Sequence, residues 1–164
     1  MIKGTTYLDK SGVAFEILLA EEKDIPKLMV MYDDFEPKGV AQGLPPRKSS
    51  SSRKEWLNGL FKGAINIVAQ KNEELVVGHA AIYPDYSRMD CEFIIFVHQD
   101  HRNQGIGTKL TLYSINHAKE IGLKLILLSV AVFNYPAIKL YSKCGFEIID
   151  SDGSERTMKM MLDK

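Results

Sequence analysis

Residues 97–108 read Val97-His98-Gln99-Asp100-His101-Arg102-Asn103-Gln104-Gly105-Ile106-Gly107-Thr108. The stretch leaves a run of β formers, Cys91 to Val97, and enters the best helical pattern of the chain, Gly107 to Ile121. There Leu110, Tyr113, Ser114, His117, Ala118 and Ile121 recur at helical spacing, and Gly122 stands at the stop. Two glycines make the junction. Glycine lets a backbone turn tightly and approach a ligand closely. A helix start offers unpaired N–H groups and the positive end of the macrodipole, which suits phosphate. The physical reading is a phosphate-binding strand–turn–helix, to which Arg102 adds charge; a glycine turn without a ligand is the competing one. A P-loop is excluded, because no Gly-Lys-Ser or Gly-Lys-Thr occurs. A dinucleotide fingerprint fails, because its third glycine falls on Leu110. The pattern Arg/Gln-x-x-Gly-x-Gly is met in full by Arg102-Asn103-Gln104-Gly105-Ile106-Gly107.

Around this junction the chain alternates strand and helix. Ala14–Ala20 reads as a strand and Asp24–Asp34 as a helix. The Pro/Gly-rich Phe35–Pro46 reads as a long loop. Ser52 with Glu55 reads as a capping box before the apolar stripe Trp56, Leu57, Leu60 and Phe61, with Gly63 as the stop. Ile65–Gln70 and Leu75–Ile82 read as a hairpin. Lys124–Phe133 is a strand, and Pro136 begins a helix that Gly145 ends. Phe146–Asp150 and Thr157–Leu162 close the chain as strands. The expectation is an α/β sheet with helices on both faces.

Composition sets outer bounds. The chain has 164 residues, 45% hydrophobic and 26% charged, which predicts one domain with a real core. Lys plus Arg and Asp plus Glu are 21 each. A net charge of zero argues against global attraction to nucleic acid or anionic lipid. Cys91 and Cys144 are too few for a disulfide framework and read as reduced packing residues. The longest apolar stretch, Leu125–Phe133, is too short to span a bilayer. The opening MIKGTTYLDK has no signal-peptide apolar region, so the expectation is a soluble cytoplasmic protein.

A second motif follows: Asn134-Tyr135-Pro136-Ala137-Ile138-Lys139-Leu140-Tyr141-Ser142-Lys143-Cys144-Gly145-Phe146. Together the two segments resemble the GNAT superfamily of acetyl-CoA-dependent N-acetyltransferases. The first is similar to its V-x-P-x-x-R-G-x-G-I-G loop and the second to its N-x-x-A-x-x-L-Y-x-x-x-G-F helix. Gln99 stands where proline is common and Asn103 where glycine is common. The family's layout maps onto about residues 14 to 162, nearly the whole chain, and the resemblance is strongest over 92–146; it implies a single domain over residues 1–164. It implies a central mixed, twisted sheet of about seven strands flanked by about four helices.

It also implies roles. Backbone N–H groups of Arg102, Asn103, Gln104, Gly105, Ile106, Gly107 and Thr108 would hold the diphosphate of coenzyme A. The strand ending Phe96-Val97 would splay from its neighbour, and the pantetheine arm would pair with it, as an added strand does. A backbone N–H near Val97 would face the thioester oxygen. Asn134, with Ala137 on the same side of its helix, would meet the pantetheine arm. Tyr141 would protonate the leaving thiolate. Glu92 matches an acidic position and would take the proton of the amine, directly or through water. For Tyr141 the competing reading is core packing, and for Glu92 a structural or exposed carboxylate.

The partners implied are acetyl-CoA and a primary amine, either a small molecule or a protein amine, with monomer and homodimer both open. The rival reading is a non-catalytic acyl-CoA-binding sensor, which needs neither Glu92 nor Tyr141. His98 and His101 have HxxH spacing without an evident third ligand, so no metal is expected. His79 and His117 read as packing or surface residues. Asp33, Asp34 and Glu36 would attract a cationic amine if free, or form a solvated helix end. The basic group Arg47, Lys48, Arg53 and Lys54 would meet the coenzyme's 3′-phosphate or nothing. No aromatics interleave these charges, which argues against nucleic acid.

Overall fold

The computed structural model describes residues 4–37, 45 and 49–163. Eight strands form one sheet: β1 (Thr5–Leu8), β2 (Ala14–Leu19), β3 (Ile65–Asn72), β4 (Leu75–Asp85), β5 (Asp90–Val97), β6 (Leu125–Ala131), β7 (Glu147–Ser151) and β8 (Glu155–Met161). Their spatial order is β1-β2-β3-β4-β5-β6-β8-β7. Every neighbouring pair is antiparallel except β5 and β6, which run parallel. Four α-helices flank the sheet: α1 (Ile25–Asp33), α2 (Ser50–Gly63), α3 (Ile106–Glu120) and α4 (Tyr135–Cys144).

Alternation along the strands divides the core in two. On one face Phe93, Ile126, Leu128 and Met158 pack with Ile106 and Leu110 of α3 and Tyr141 of α4. On the other, Val68, Ala81 and Phe96 pack with Leu28 and Tyr32 of α1 and Leu57 and Leu60 of α2. Strand β4 is covered on both faces, and seven successive residues, Val76–Ile82, are buried. That explains its unbroken apolar and small-residue run.

The expected helices, hairpin and closing strands are all present, and helices cover both faces. Two details differ. Thr5–Leu8 adds an edge strand that the sequence reading passes over, because three of its four residues are exposed. Helix α2 starts at Ser50 rather than after Ser52. Ser49 is extended, and its hydroxyl accepts the Ser52 N–H at 3.0 Å, so the cap lies three residues earlier. Most of the Pro/Gly-rich loop, together with Arg47 and Lys48, lies outside the described residues. Cys91 and Cys144 are free and buried, and burial pushes the Cys91 thiol up to about 12. Among the described residues no helix is long and apolar enough to cross a membrane.

Candidate active site

The sheet opens between β5 and β6. They pair only over Asp90–Glu92 with Leu125–Leu127. Beyond Glu92, β5 remains paired with β4 as far as Val97, and β6 remains paired with β8 as far as Ala131. The result is a V-shaped split with its apex at Glu92 and Leu127. The His98 N–H bonds to Val77 O on β4 at 2.9 Å. Antiparallel alternation then turns the peptide groups of Phe96 toward β4 and those of Ile95 and Val97 into the split. This corrects the expectation for Phe96: its backbone belongs to the sheet, and Ile95 joins Val97 as a cleft-facing residue.

At the mouth of the split the chain makes a short 3-10 turn, Gln99–His101, and enters α3. Gly105 is the N-cap residue at φ 87°, a left-handed conformation suited to glycine. No side chain caps this helix, and a Cβ built at Gly105 meets nothing within 4 Å. The N–H groups of Ile106, Gly107 and Thr108 lie in the first turn, without a side-chain cap from Gly105, at the positive end of a 15-residue helix. Gly107 serves packing instead. A Cβ there would lie 2.9 Å from Leu140 Cδ1, so the small residue lets α3 pack against α4. Asn103 has φ 61°, which asparagine tolerates better than most residues and which accounts for its standing where glycine is common.

The Arg102 side chain does not reach out as expected. Its Nε donates to Val97 O at 2.9 Å, and another guanidinium nitrogen donates to Glu36 O. The guanidinium also lies 5.2 Å from the centre of the Phe35 ring. Gln99 adds to the same junction, donating to Asp34 O at 2.6 Å and accepting the Glu36 N–H at 2.9 Å. The two side chains join the end of β5 to the segment after α1.

The acidic residues near that segment are also engaged. Asp33 pairs with Arg53 at 2.7 Å, and Asp34 accepts from His98 Nε2 at 2.8 Å. His98 Nδ1 accepts the Asp100 N–H at 3.2 Å, so both ring nitrogens are used. His98, Asp34 and Asp100 offer ligand atoms within 4.8 Å of one another, a group that leaves out His101 of the HxxH pair. Hydrogen bonding accounts for the arrangement. Arg53 is likewise turned to Asp33 rather than toward a phosphate.

Glu92 and Tyr141 meet the apex from opposite faces. Glu92 is exposed on the α1–α2 face, directly across from Tyr83 on β4. Burial raises the Tyr83 pKa, and the Glu92 charge adds to the shift. Tyr141 lies on the other face, its ring 6.4 Å from Phe93 and 5.8 Å from Phe146. It is 8% exposed, and burial pushes its phenol well above the ordinary value. Phe93 follows Glu92 in sequence, so carboxylate and phenol sit at one level of β5. Asn134 caps α4, its Oδ1 accepting the Ala137 N–H at 3.4 Å, and Ala137 is half-buried against the α3–α4 core.

A buried polar chain supports this region. Tyr32 Oη lies 2.6 Å from His79 Nδ1, and His79 Nε2 lies 2.8 Å from Asn66 Oδ1. Asn66 Nδ2 donates to Leu60 O and Ala64 O, which fixes the amide. His79 therefore carries its proton on Nε2 and accepts the Tyr32 hydroxyl. Burial lowers its pKa to about 3.

Comparison with known proteins agrees with this architecture. The sequence profile of the Acetyltransferase (GNAT) family matches residues 26–146. The chain belongs to that family. It is 38% identical over 60 residues to the mycothiol acetyltransferase of Thermobifida fusca, a match over 37% of this chain and 19% of that protein. The chain thus spans about a fifth of the length of that curated relative. It is 26% identical over 131 residues, 76% of each chain, to an L-methionine sulfoximine/L-methionine sulfone acetyltransferase of Pseudomonas paraeruginosa. The structure of yncA from Salmonella typhimurium with its cofactor acetyl-CoA superposes with a TM-score of 0.73 at 21% identity, covering 92% of this chain and 95% of that one.

Proposed function

We propose that this protein transfers an acetyl group from acetyl-CoA to a primary amine by direct attack on the thioester. The carrying observation is the split between β5 and β6, with the peptide groups of Ile95 and Val97 turned into it beneath an uncapped helix start at Gly105. Ile106, Gly107 and Thr108 supply N–H groups to the diphosphate, with Arg102, Asn103 and Gln104 shaping the loop. Val97 and Ile95 offer peptide groups to the pantetheine arm, and Asn134 and Ala137 line its other side.

The chemistry follows from the apex. The thioester lies at the level of Glu92 and Phe93. Glu92 takes one proton from the ammonium and leaves a nucleophilic nitrogen. That nitrogen bonds to the carbonyl carbon while the Ile95 N–H, the cleft-facing β5 N–H nearest the apex, stabilises the developing oxyanion. The carbon–sulfur bond then breaks, the electron pair leaves on sulfur, and the second proton shed by the nitrogen as the amide forms balances the one the thiolate takes up. Tyr141 addresses the thiolate from the α4 face. Burial raises its pKa and holds the phenol in its protonated form, which makes it a hydrogen-bond donor to the thiolate. Glu92 and Tyr141 also favour the enzyme over an acyl-CoA sensor, since a sensor requires neither.

The acceptor is a small amine. Amino-acid acceptors have support in the Pseudomonas relative, named for methionine derivatives. The test is thiol release from acetyl-CoA with pooled amines. Turnover above the no-amine rate is expected, and coenzyme binding with no turnover on any pool would favour the sensor.

A further inference from the structure

The strand registers align one row of side chains across the sheet on the α1–α2 face. Tyr83 on β4 stands beside Glu92 on β5, Glu92 beside Leu127 on β6, Leu127 beside Lys159 on β8, and Lys159 beside Glu147 on β7. The faces agree: Met158, next to Lys159, is buried among the α3–α4 core residues, so Lys159 points the other way. Lys159 Nζ lies 3.7 Å from Glu147 Oε1, a loose pair with the glutamate largely exposed. Helices α1 and α2 cover β3 and β4 on this face, and Ser129 of β6 is exposed beyond them.

A carboxylate and an ammonium therefore flank one apolar residue at the apex of the split. Two strand spacings separate the Glu92 and Lys159 positions by roughly 9–10 Å. In an α-amino acid the nitrogen and the carboxyl carbon are only about 2.5 Å apart. With a charge-assisted hydrogen bond of about 2.8 Å at each end, the ligand with its two partners spans roughly 9 Å. The long, flexible lysine stem takes up the difference. We infer that Lys159 binds the carboxylate of an α-amino acid whose amine faces Glu92, with Leu127 as the floor between them.

The inference rests on the acetyl-transfer reading and specifies its acceptor. It disfavours polyamines, which need several carboxylates. Asp33 and Asp34 are already bonded to Arg53 and His98, and the row offers a cation where a second ammonium would lie.

The experiment is a panel of α-amino acids, each beside its amide and its decarboxylated amine, assayed with wild type, Lys159→Met and Lys159→Arg. Wild type is expected to prefer the free acid, with kcat/KM at least about tenfold above amide and amine, the scale of one hydrogen bond to a charged group. Lys159→Met should erase that preference mainly through KM, leave the amine within about twofold, and be partly rescued by Lys159→Arg. Equal losses on acid and amine, or none on either, would overturn the assignment. So would a wild type that favours the decarboxylated amines, and in that case acetyl transfer itself stands. Absence of thiol release with every amine would remove the acetyl-transfer reading and this one together.

Discussion

Glu92 and Tyr141 flank the apex of the split from opposite faces of the sheet, and the role proposed for each makes a separable prediction. If Glu92 takes the amine proton, Glu92→Gln lowers turnover at neutral pH by roughly 10²–10⁴-fold. The deficit shrinks as pH rises, because more of the amine is already neutral; a pH–rate profile with pooled amines checks both. Tyr141→Phe keeps the ring against Phe93 and Phe146 and removes only the hydroxyl. The expected result is unchanged acetyl-CoA affinity with a single-turnover rate about tenfold lower. An unchanged rate would leave the tyrosine as packing. Tyr141 is nominated from the Asn134–Phe146 motif and Glu92 from the acidic position that the resemblance places on the strand before the loop. Tyr83 and Lys159 were not legible in the sequence: Tyr83 stands beside Glu92 through the β4–β5 register, and Lys159 joins the same row only because β8 lies next to β6, which no local spacing displays. Arg102 shows the opposite error. Its type and place suggest a phosphate ligand, yet its guanidinium bonds to Glu36, 66 residues away.

Among the elements, the junction of β5 and α3 carries the most weight. Gly105 answers two demands, a left-handed backbone and empty space above it, and two substitutions separate them. Gly105→Ala meets no neighbour within 4 Å but strains the φ of 87°. It should lower stability by about 1 kcal/mol, with modest loss of coenzyme affinity. Gly105→Glu adds bulk and negative charge where phosphate approaches, and calorimetry should detect no coenzyme binding by a folded protein. The glycine pattern made this junction readable from sequence. The cap of α2 was harder to place, since Ser49–Ser52 offers four hydroxyls in succession and only backbone geometry picks Ser49. Strand β1 escaped because an edge strand needs little apolar patterning; Tyr7 alone is partly buried.

For the molecule as a whole, the Tyr32–His79–Asn66 chain links stability to pH. The unfolded histidine titrates near 6.5 and the folded one near 3. Between those values the unfolded state binds the extra proton. The neutral-ring stability is therefore fully present above about pH 6.5 and declines as pH falls toward 3. The slope approaches roughly 1.4 kcal/mol per pH unit for one proton. Urea unfolding of wild type and His79→Gln across pH 4–7 should show the wild type losing stability more steeply by about that slope. Equal slopes would contradict a buried neutral ring. The overall architecture was legible because strand and helix alternate with clear stops. The splay of β5 from its neighbour was implied by the family resemblance, but not its apex at Glu92 and Leu127, since pairing length is a property of two strands and a parallel register.

That short pairing makes the sheet two plates joined by a narrow seam. One plate is β1–β5 and the other β6–β8; among the described residues their strand pairing is limited to Asp90–Glu92 with Leu125–Leu127, beside a Lys124 N–H donated to Met89 O. An arm laid in the notch with bonds to the first plate, and with α4 at its back, acts as a wedge that stiffens the hinge. Whatever binds there adds its binding free energy to the cohesion of the fold. The stability of the fold then follows the concentration of whatever fills the notch as well as the sequence.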